Sequence, residues 1–312
     1  MAVIRHLPMG FGIRFLAKRK AFLTLSAGLI VASIVSFFTL GLNFGIDFRG
    51  GILLEVRFEQ QPDLASLRSE LDGLGLGEVN LQTFGEPNDV LINVQRQEGG
   101  EEAQNEAVQA IRAALGDEGV DYRRTEFVGP TVGAELRRAG ILATLLSLAA
   151  IGCYIWFRFE WHFAVAALVA LAHDIIATIG FYSVMQLEFN LATLAAVLTI
   201  AGYSINDTVV VFDRVRETLR KYKKRPVEEV LDEAINMTLS RTILTSVTTL
   251  LALFALYIFG GEVIRGFVIG LIWGVLIGTY SSIALAVPLL YYLGVRRVET
   301  GDSDEPAEAK AA

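Results

Sequence analysis

One cysteine, three histidines and a charged fraction of 20% are what this 312-residue chain has least of. A lone Cys153 excludes an internal disulfide framework and a cysteine-built metal site. Lying in an apolar run, it is expected to be a small buried hydrophobe. His6, His162 and His173 are scattered without zinc-ligand spacing. No stretch reads as a glycine-rich phosphate loop. Nothing in the residues therefore points to a cofactor, a metal or a catalytic centre.

What is there instead is hydrophobicity. Apolar residues make up 53% of the chain, and mean hydropathy is +0.48. That balance does not suit an ordinary soluble domain. Six segments are long and apolar enough to span a bilayer: 22–42, 139–157, 162–185, 191–212, 243–259 and 267–293. The fifth is short, so its helix is expected to begin near Thr238. The first follows Arg14, Lys18, Arg19 and Lys20. It is too long for a cleaved signal peptide, and no small-x-small site follows it before Asn43, so it reads as a retained anchor.

Lysine and arginine set the orientation. Five precede the first span (Arg5, Arg14, Lys18, Arg19, Lys20) and eight lie between the fourth and fifth, from Arg214 to Arg241. Arg158 sits in the turn between spans two and three, and Arg296 and Arg297 follow the last. The opposite loops hold only Arg265. Both termini are thus expected in the cytoplasm: an N-terminal segment 1–21, a basic loop and helix over 213–241 next to anionic lipid, and an acidic disordered tail 294–312. The 213–241 loop is a poor nucleic-acid site in that position. Residues 43–138, with 18 acidic and 9 basic side chains, form the external domain.

Within that domain, alternation and turn residues predict strands at 52–58, 79–84, 90–94 and 122–128, and helices at 62–71 and 101–115. The order βαββαβ over about 52–129 is that of a ferredoxin-like unit. The predicted fold class is a polytopic α-helical membrane protein of six spans, with a small periplasmic α+β ferredoxin-like domain between the first two. Gly45, Asp47, Arg49, Gly50 and Gly51 join the first span to it. They read as a hinge, with Asp47 and Arg49 able to pair across the turn; a plain solvated linker is the alternative.

The polar residues inside the spans carry the chemistry. A carboxylate there is unfavourable unless it is paired or protonated. Asp207 lies in the fourth span and Asp174, beside His173, near the middle of the third. Arg241 precedes the apolar part of the fifth, among many hydroxyls. Asp207, Arg241 and Asp174 are the proton-coupling candidates, with Asn206, Thr208, Ser204, Thr242 and Thr245 as a supporting polar path. Each also has a structural reading: hydrogen bonds holding a helix pair for the aspartates and His173, and a membrane-edge charge for Arg241. Asp213 and Arg214 read as a polar exit from the fourth span. Gly266, Gly270, Gly274 and Gly278 form a small-residue stripe suited to close helix packing. Pro288 is placed to kink the end of the last span.

Several segments match one family in order: Gly45-Ile-Asp-Phe-Arg-Gly-Gly51, Phe127-Val-Gly-Pro-Thr-Val-Gly133, Ala172-His-Asp-Ile175, Gly202-Tyr-Ser-Ile-Asn-Asp-Thr-Val-Val-Val-Phe-Asp-Arg214, Ser240-Arg-Thr-Ile-Leu-Thr245 and Tyr257-Ile-Phe-Gly-Gly261. On these the chain resembles the SecF family of bacterial protein-export subunits over nearly all of residues 15–295. The resemblance implies a pseudo-symmetric pair with SecD, similar to the RND transporters. It also implies association with SecYEG, YajC and the SecA-dependent translocase, and action on preproteins driven by protons in the bacterial inner membrane. It makes Asp207 the essential membrane carboxylate and Arg241 its basic counterpart. Competing readings are an RND-like exporter subunit for a small hydrophobic or lipid substrate, an intramembrane aspartyl protease using Asp174 and Asp207, and a purely structural assembly subunit. The protease reading lacks the Gly-x-Gly-Asp context.

Overall fold

A computed structural model describes residues 12–83, 86–116, 119–261 and 264–295. Arg5, His6, Arg296, Arg297 and the tail expected beyond them lie outside the described residues. Among the described residues six helices are long and apolar enough to cross a membrane, and a sheet domain is inserted between the first and second. The chain is a multi-pass membrane protein.

Helix α1 (Arg19–Thr39) buries only Ser26, Ser33 and Ser36 and turns its large apolar side chains outward. That inverted pattern is what lipid asks for, since small and polar residues then mediate helix contact. Ser36 Oγ lies 2.8 Å from Ser183 Oγ on α6 (Trp161–Met185). Helices α5 (Pro130–Arg158) and α8 (Val227–Phe259) are likewise peripheral. The central pair is α6 and α9 (Arg265–Ser281), with α7 (Leu191–Lys221) between them and α8. The last span widens into a π turn at Ser282–Ala286 before α10 (Val287–Tyr292). Pro288 has no N–H to give the preceding turn, and the wide turn accommodates that loss.

Cys153 is exposed on α5 rather than buried. An apolar run in a membrane helix places side chains against lipid as readily as against protein, so the run alone does not imply burial. The stretch 213–241 is also mostly helix. α7 continues to Lys221, and α8 starts after Pro226, well before Thr238. Polar contacts carry these ends beyond the apolar zone. Tyr222 Oη donates to Glu233 at 2.9 Å, Asp232 Oδ1 accepts from Leu16 N at 2.9 Å, and Asn236 pairs with the Ile13 backbone at 3.0 and 2.8 Å.

The inserted domain runs β2 (Gly51–Phe58), α3 (Leu64–Asp72), β3 (Val79–Thr83), β4 (Asp89–Gln95), α4 (Gly100–Leu115) and β5 (Val120–Val128). The antiparallel sheet has the order β3-β4-β2-β5, with Ile52 opposite Val94 and Phe127. Alternation puts Ile52, Leu54, Val56, Val90, Ile92 and Val94 on one face, where Leu67, Leu71, Val108 and Ile111 of the helices cover them. Asp63 caps α3 by accepting from Ala65 N at 3.1 Å.

Two short strands anchor the domain's root. β1 (Asn43–Phe44) pairs in parallel with β6 (Glu188–Phe189). The single turn α2 (Ile46–Arg49) follows β1, and its Phe48 is only 3% exposed, stacked on Phe189. Asp47 and Arg49 do not pair with each other. Asp47 Oδ2 accepts from Leu191 N at 2.9 Å, whereas Arg49 reaches Glu78 at 3.4 Å. One helical turn sends neighbouring side chains to different sides of the root, so each finds its own partner. Gly51 sits at φ 148°, and a Cβ there would fall 2.6 Å from Val94 O. The entry into β2 therefore requires glycine.

Candidate functional site

The glycine stripe on α9 sets the site's geometry. A Cβ on Gly270 would overlap Tyr182 of α6, and one on Gly274 would overlap Ile200 of α7. At Gly278 it would lie 3.1 Å from the Ser204 side chain. Without those side chains α9 approaches close enough for polar groups on three helices to meet.

They meet at Asp174, which is 0% exposed. Ser204 Oγ from α7 donates to its Oδ2 at 2.5 Å, and Ser281 Oγ from α9 donates to the same atom at 2.6 Å. His173 Nδ1 lies 2.9 Å from Oδ1. The buried carboxylate is thus met by three hydrogen-bonding groups, the condition under which such a group is tolerated. Ser204 belongs to the polar path expected from the sequence, whereas Ser281 does not stand out there. A serine in an apolar span carries no signal until its neighbour is known.

Asp207, one turn further along α7, is 5% exposed and differently placed. Its Oδ2 is buried without a hydrogen-bond partner. Among the described residues Arg241 of α8 forms no ion pair with Asp207. Thr242, next to Arg241, is 1% exposed, and its Oγ1 is also buried without a partner. One turn on, Ser246 Oγ lies 2.6 Å from Thr279 Oγ1 of α9 and receives a long 3.5 Å contact from Tyr203 of α7. The α7–α8–α9 seam therefore brings together hydroxyls from three helices, of which Ser246 and Thr279 also bond back to carbonyls of their own helices at 2.8 and 2.6 Å, and a carboxylate with one buried oxygen unpartnered. An oxygen in that state is chemically open to a proton or to a donor from another subunit.

The other expected path residues divide. Thr208 is buried, while Asn206 is exposed on the outside of α7. Thr245 bonds back to a carbonyl of its own helix at 2.9 Å, as the neighbouring Thr248 and Thr249, not themselves expected on the path, do at 2.9–3.0 Å. Hydroxyls satisfied in this way can face lipid and need no hydrated channel. Asp213 pairs with Arg158 at 3.3 Å, both exposed. Among the described residues no group of three His, Cys, Asp or Glu side chains is placed to hold a metal ion.

The root of the inserted domain touches the same helix. The Asp47 carboxylate adds to the cap already made by Asn190, whose Oδ1 accepts from Thr193 N at 3.0 Å. A negative charge at a helix N-terminus is favourable. One helix thus links Asp47 at its start to Asp207, about 24 Å further on at 1.5 Å per residue.

Membrane proteins with this helix arrangement and inserted sheet fall in a known class. The family described as "Protein export membrane protein SecD/SecF, C-terminal" matches residues 107–296, and the "SecD/SecF GG Motif" matches residues 35–62. The chain belongs to the SecD/SecF family. Its relatives include the protein translocase subunit SecF of Rickettsia bellii, 46% identical over 302 residues, covering 95% of this chain and 98% of that protein. The SecF subunit of Magnetococcus marinus is 48% identical over 297 residues, 93% and 96% of the two chains. The crystal structure of SecDF, a translocon-associated membrane protein from Thermus thermophilus, matches with a TM-score of 0.80 at 36% identity. That match covers 91% of this chain and 39% of the SecDF chain. SecDF in a super-membrane-facing form matches with a TM-score of 0.67.

Proposed function

We propose that this chain is an accessory subunit of the Sec translocase which, with a SecD partner, uses the proton-motive force to promote late protein translocation. The relatives named protein translocase subunit SecF support the assignment. The solved SecDF chain supports the partner, because this chain spans only 39% of it. The site lies in the bacterial inner membrane, with both termini cytoplasmic and residues 43–138 periplasmic. The inserted domain is ferredoxin-like, a reading supported by its βαββαβ order and its β3-β4-β2-β5 sheet. SecYEG, YajC and the SecA-dependent machinery are the larger assembly in which it works.

The observation that carries the mechanism is the buried Asp207, whose Oδ2 has no hydrogen-bond partner, on a helix whose start is capped from the root of the inserted domain. Asp207 takes up and releases the proton, and Arg241 moves toward or away from it as the helices shift. Moving one charge across about 100 mV is worth roughly 2.3 kcal/mol, enough to bias a conformational equilibrium. α7 passes that bias to Asp47 and the Gly45–Gly51 hinge. Asp174, fully hydrogen-bonded, holds α7 in register against α6 and α9.

The test is Asp207→Asn in cells that depend on this subunit. Export falls to the level of the deletion while the protein accumulates normally with its partner. Undiminished export, with proton-dependent domain movement intact, would show that Asp207 does not couple protons.

A further inference from the structure

Only one face of the inserted sheet is covered by α3 and α4. The other faces the shoulder formed by β1, α2, β6 and the adjoining ends of α7 and α9. Together they enclose a half-open cleft of about 1090 Å³. That is slightly larger than small-molecule pockets, which run about 300–1,000 Å³.

The lining has an unusual chemistry. Among the described residues, seven primary amides border the cleft, including Asn80, Gln82, Asn93 and Gln95 on the sheet and Gln186 and Asn190 on the shoulder. Each can donate and accept without carrying charge. Five carboxylates and four arginines stand among them in near balance. A phosphate or an acidic ligand would call for an excess of arginine. Leu53 and Leu91 supply apolar surface between the amides. Asn93 Oδ1 is buried and unpartnered, and β3 is an edge strand of the sheet. Across the mouth, the exposed Arg49–Glu78 pair links shoulder to sheet at 3.4 Å. A pair of that kind is weak and opens readily.

We propose that this cleft binds an extended, unfolded polypeptide segment through its main-chain amides, with little preference for sequence. The inference rests on the export reading above and adds to it a place where the substrate is held. An unfolded chain presents one N–H and one C=O at nearly every residue. An amide-rich wall beside an open strand edge can pair both, whatever side chains pass.

The experiment uses the full chain purified with its partner subunit. A photoreactive amino acid replaces Leu91 in the cleft or, as control, Glu106 on the exposed side of α4. The probe is a fluorescein-labelled unstructured peptide of zero net charge. Position 91 labels the peptide about tenfold more than position 106. Gln82→Leu combined with Asn93→Leu lowers that labelling by about tenfold. Arg49→Ala leaves the amides untouched and speeds labelling by opening the mouth. Equal labelling at both positions overturns the proposal. So does labelling at position 91 that a short-chain anionic phospholipid abolishes and unlabelled peptide does not, which would make the cleft a lipid headgroup site. Labelling is read without a proton gradient, whereas the coupling reading is tested by export from Asp207→Asn, so the two fail separately.

Discussion

Replacing Asp174 in two ways separates a latch from a proton carrier. In Asp174→Ala, the Ser204 and Ser281 hydroxyls and His173 Nδ1 all lose their acceptor at a site that is 0% exposed. The serines have a remedy: Ser281 Oγ already lies 3.1 Å from Gly278 O, and Ser204 can turn to a carbonyl of its own helix. What is lost there is two interhelical bonds, at about 0.6 kcal/mol each for bonds within a membrane. The imidazole has no such remedy, because its Nε2 is already buried without a partner. One orphaned group costs about 1–3 kcal/mol. Asp174→Ala therefore destabilises the packed α6–α7–α9 core by about 2–4 kcal/mol. In Asp174→Asn, the amide oxygen still accepts from both serines and its NH2 meets the imidazole after a tautomer change, so the loss stays within about 1 kcal/mol. The assay is the fraction of subunit–partner complex that remains monodisperse after heating in detergent, paired with export in cells. The expected result is a clear loss of complex for the alanine variant, and near-normal stability and export for the asparagine variant. Equal stability of the two variants would refute the hydrogen-bond reasoning. A stable asparagine variant that cannot export would make Asp174 a proton carrier.

Asp47→Ala removes the acceptor for Leu191 N and with it about 0.5–2 kcal/mol of helix capping. Hydrogen exchange in the first turn of α7 then quickens while the turns near Asp213 are unaffected; unchanged exchange at Leu191 would discount the link between domain root and helix. In the inserted domain, Asp89 is 4% exposed and bonds Arg57 at 2.5 and 2.6 Å. Those bonds hold its carboxyl below the usual carboxylate range. The lowered value means that the pair's contribution is complete above the unfolded pKa of about 3.9 and disappears as pH falls through the lower folded value. Exchange protection in β2 and β4 should therefore fall in acid for the native chain, with that pH dependence weakened in Asp89→Asn.

The spans and the inserted strands were legible because each is written locally. Apolar length marks a span, and alternation such as Ile52, Leu54 and Val56 marks a half-buried strand. Asp207 was legible for a related reason: a carboxylate in an apolar run stands out wherever it points. The direction in which a side chain points was not. Cys153 faces outward although its apolar run suggests burial, and Thr245, expected on a polar path, turns onto its own helix. The lengths of α7 and α8 were underestimated because their polar ends are held by Ile13, Leu16 and Glu233, contacts a hydropathy profile does not contain.

By itself, the sequence determined that this is a six-span membrane protein of a particular family, with two aspartates in its spans. Tertiary structure alone decided that they are unlike. Ser204 and Ser281, which donate to Asp174, lie 30 and 107 residues away, and the glycines of α9 bring them within reach. The environment around Asp207 leaves one oxygen unpaired. The cost of a buried charge depends on which donors stand around it, and donors come from packing rather than from neighbours in sequence.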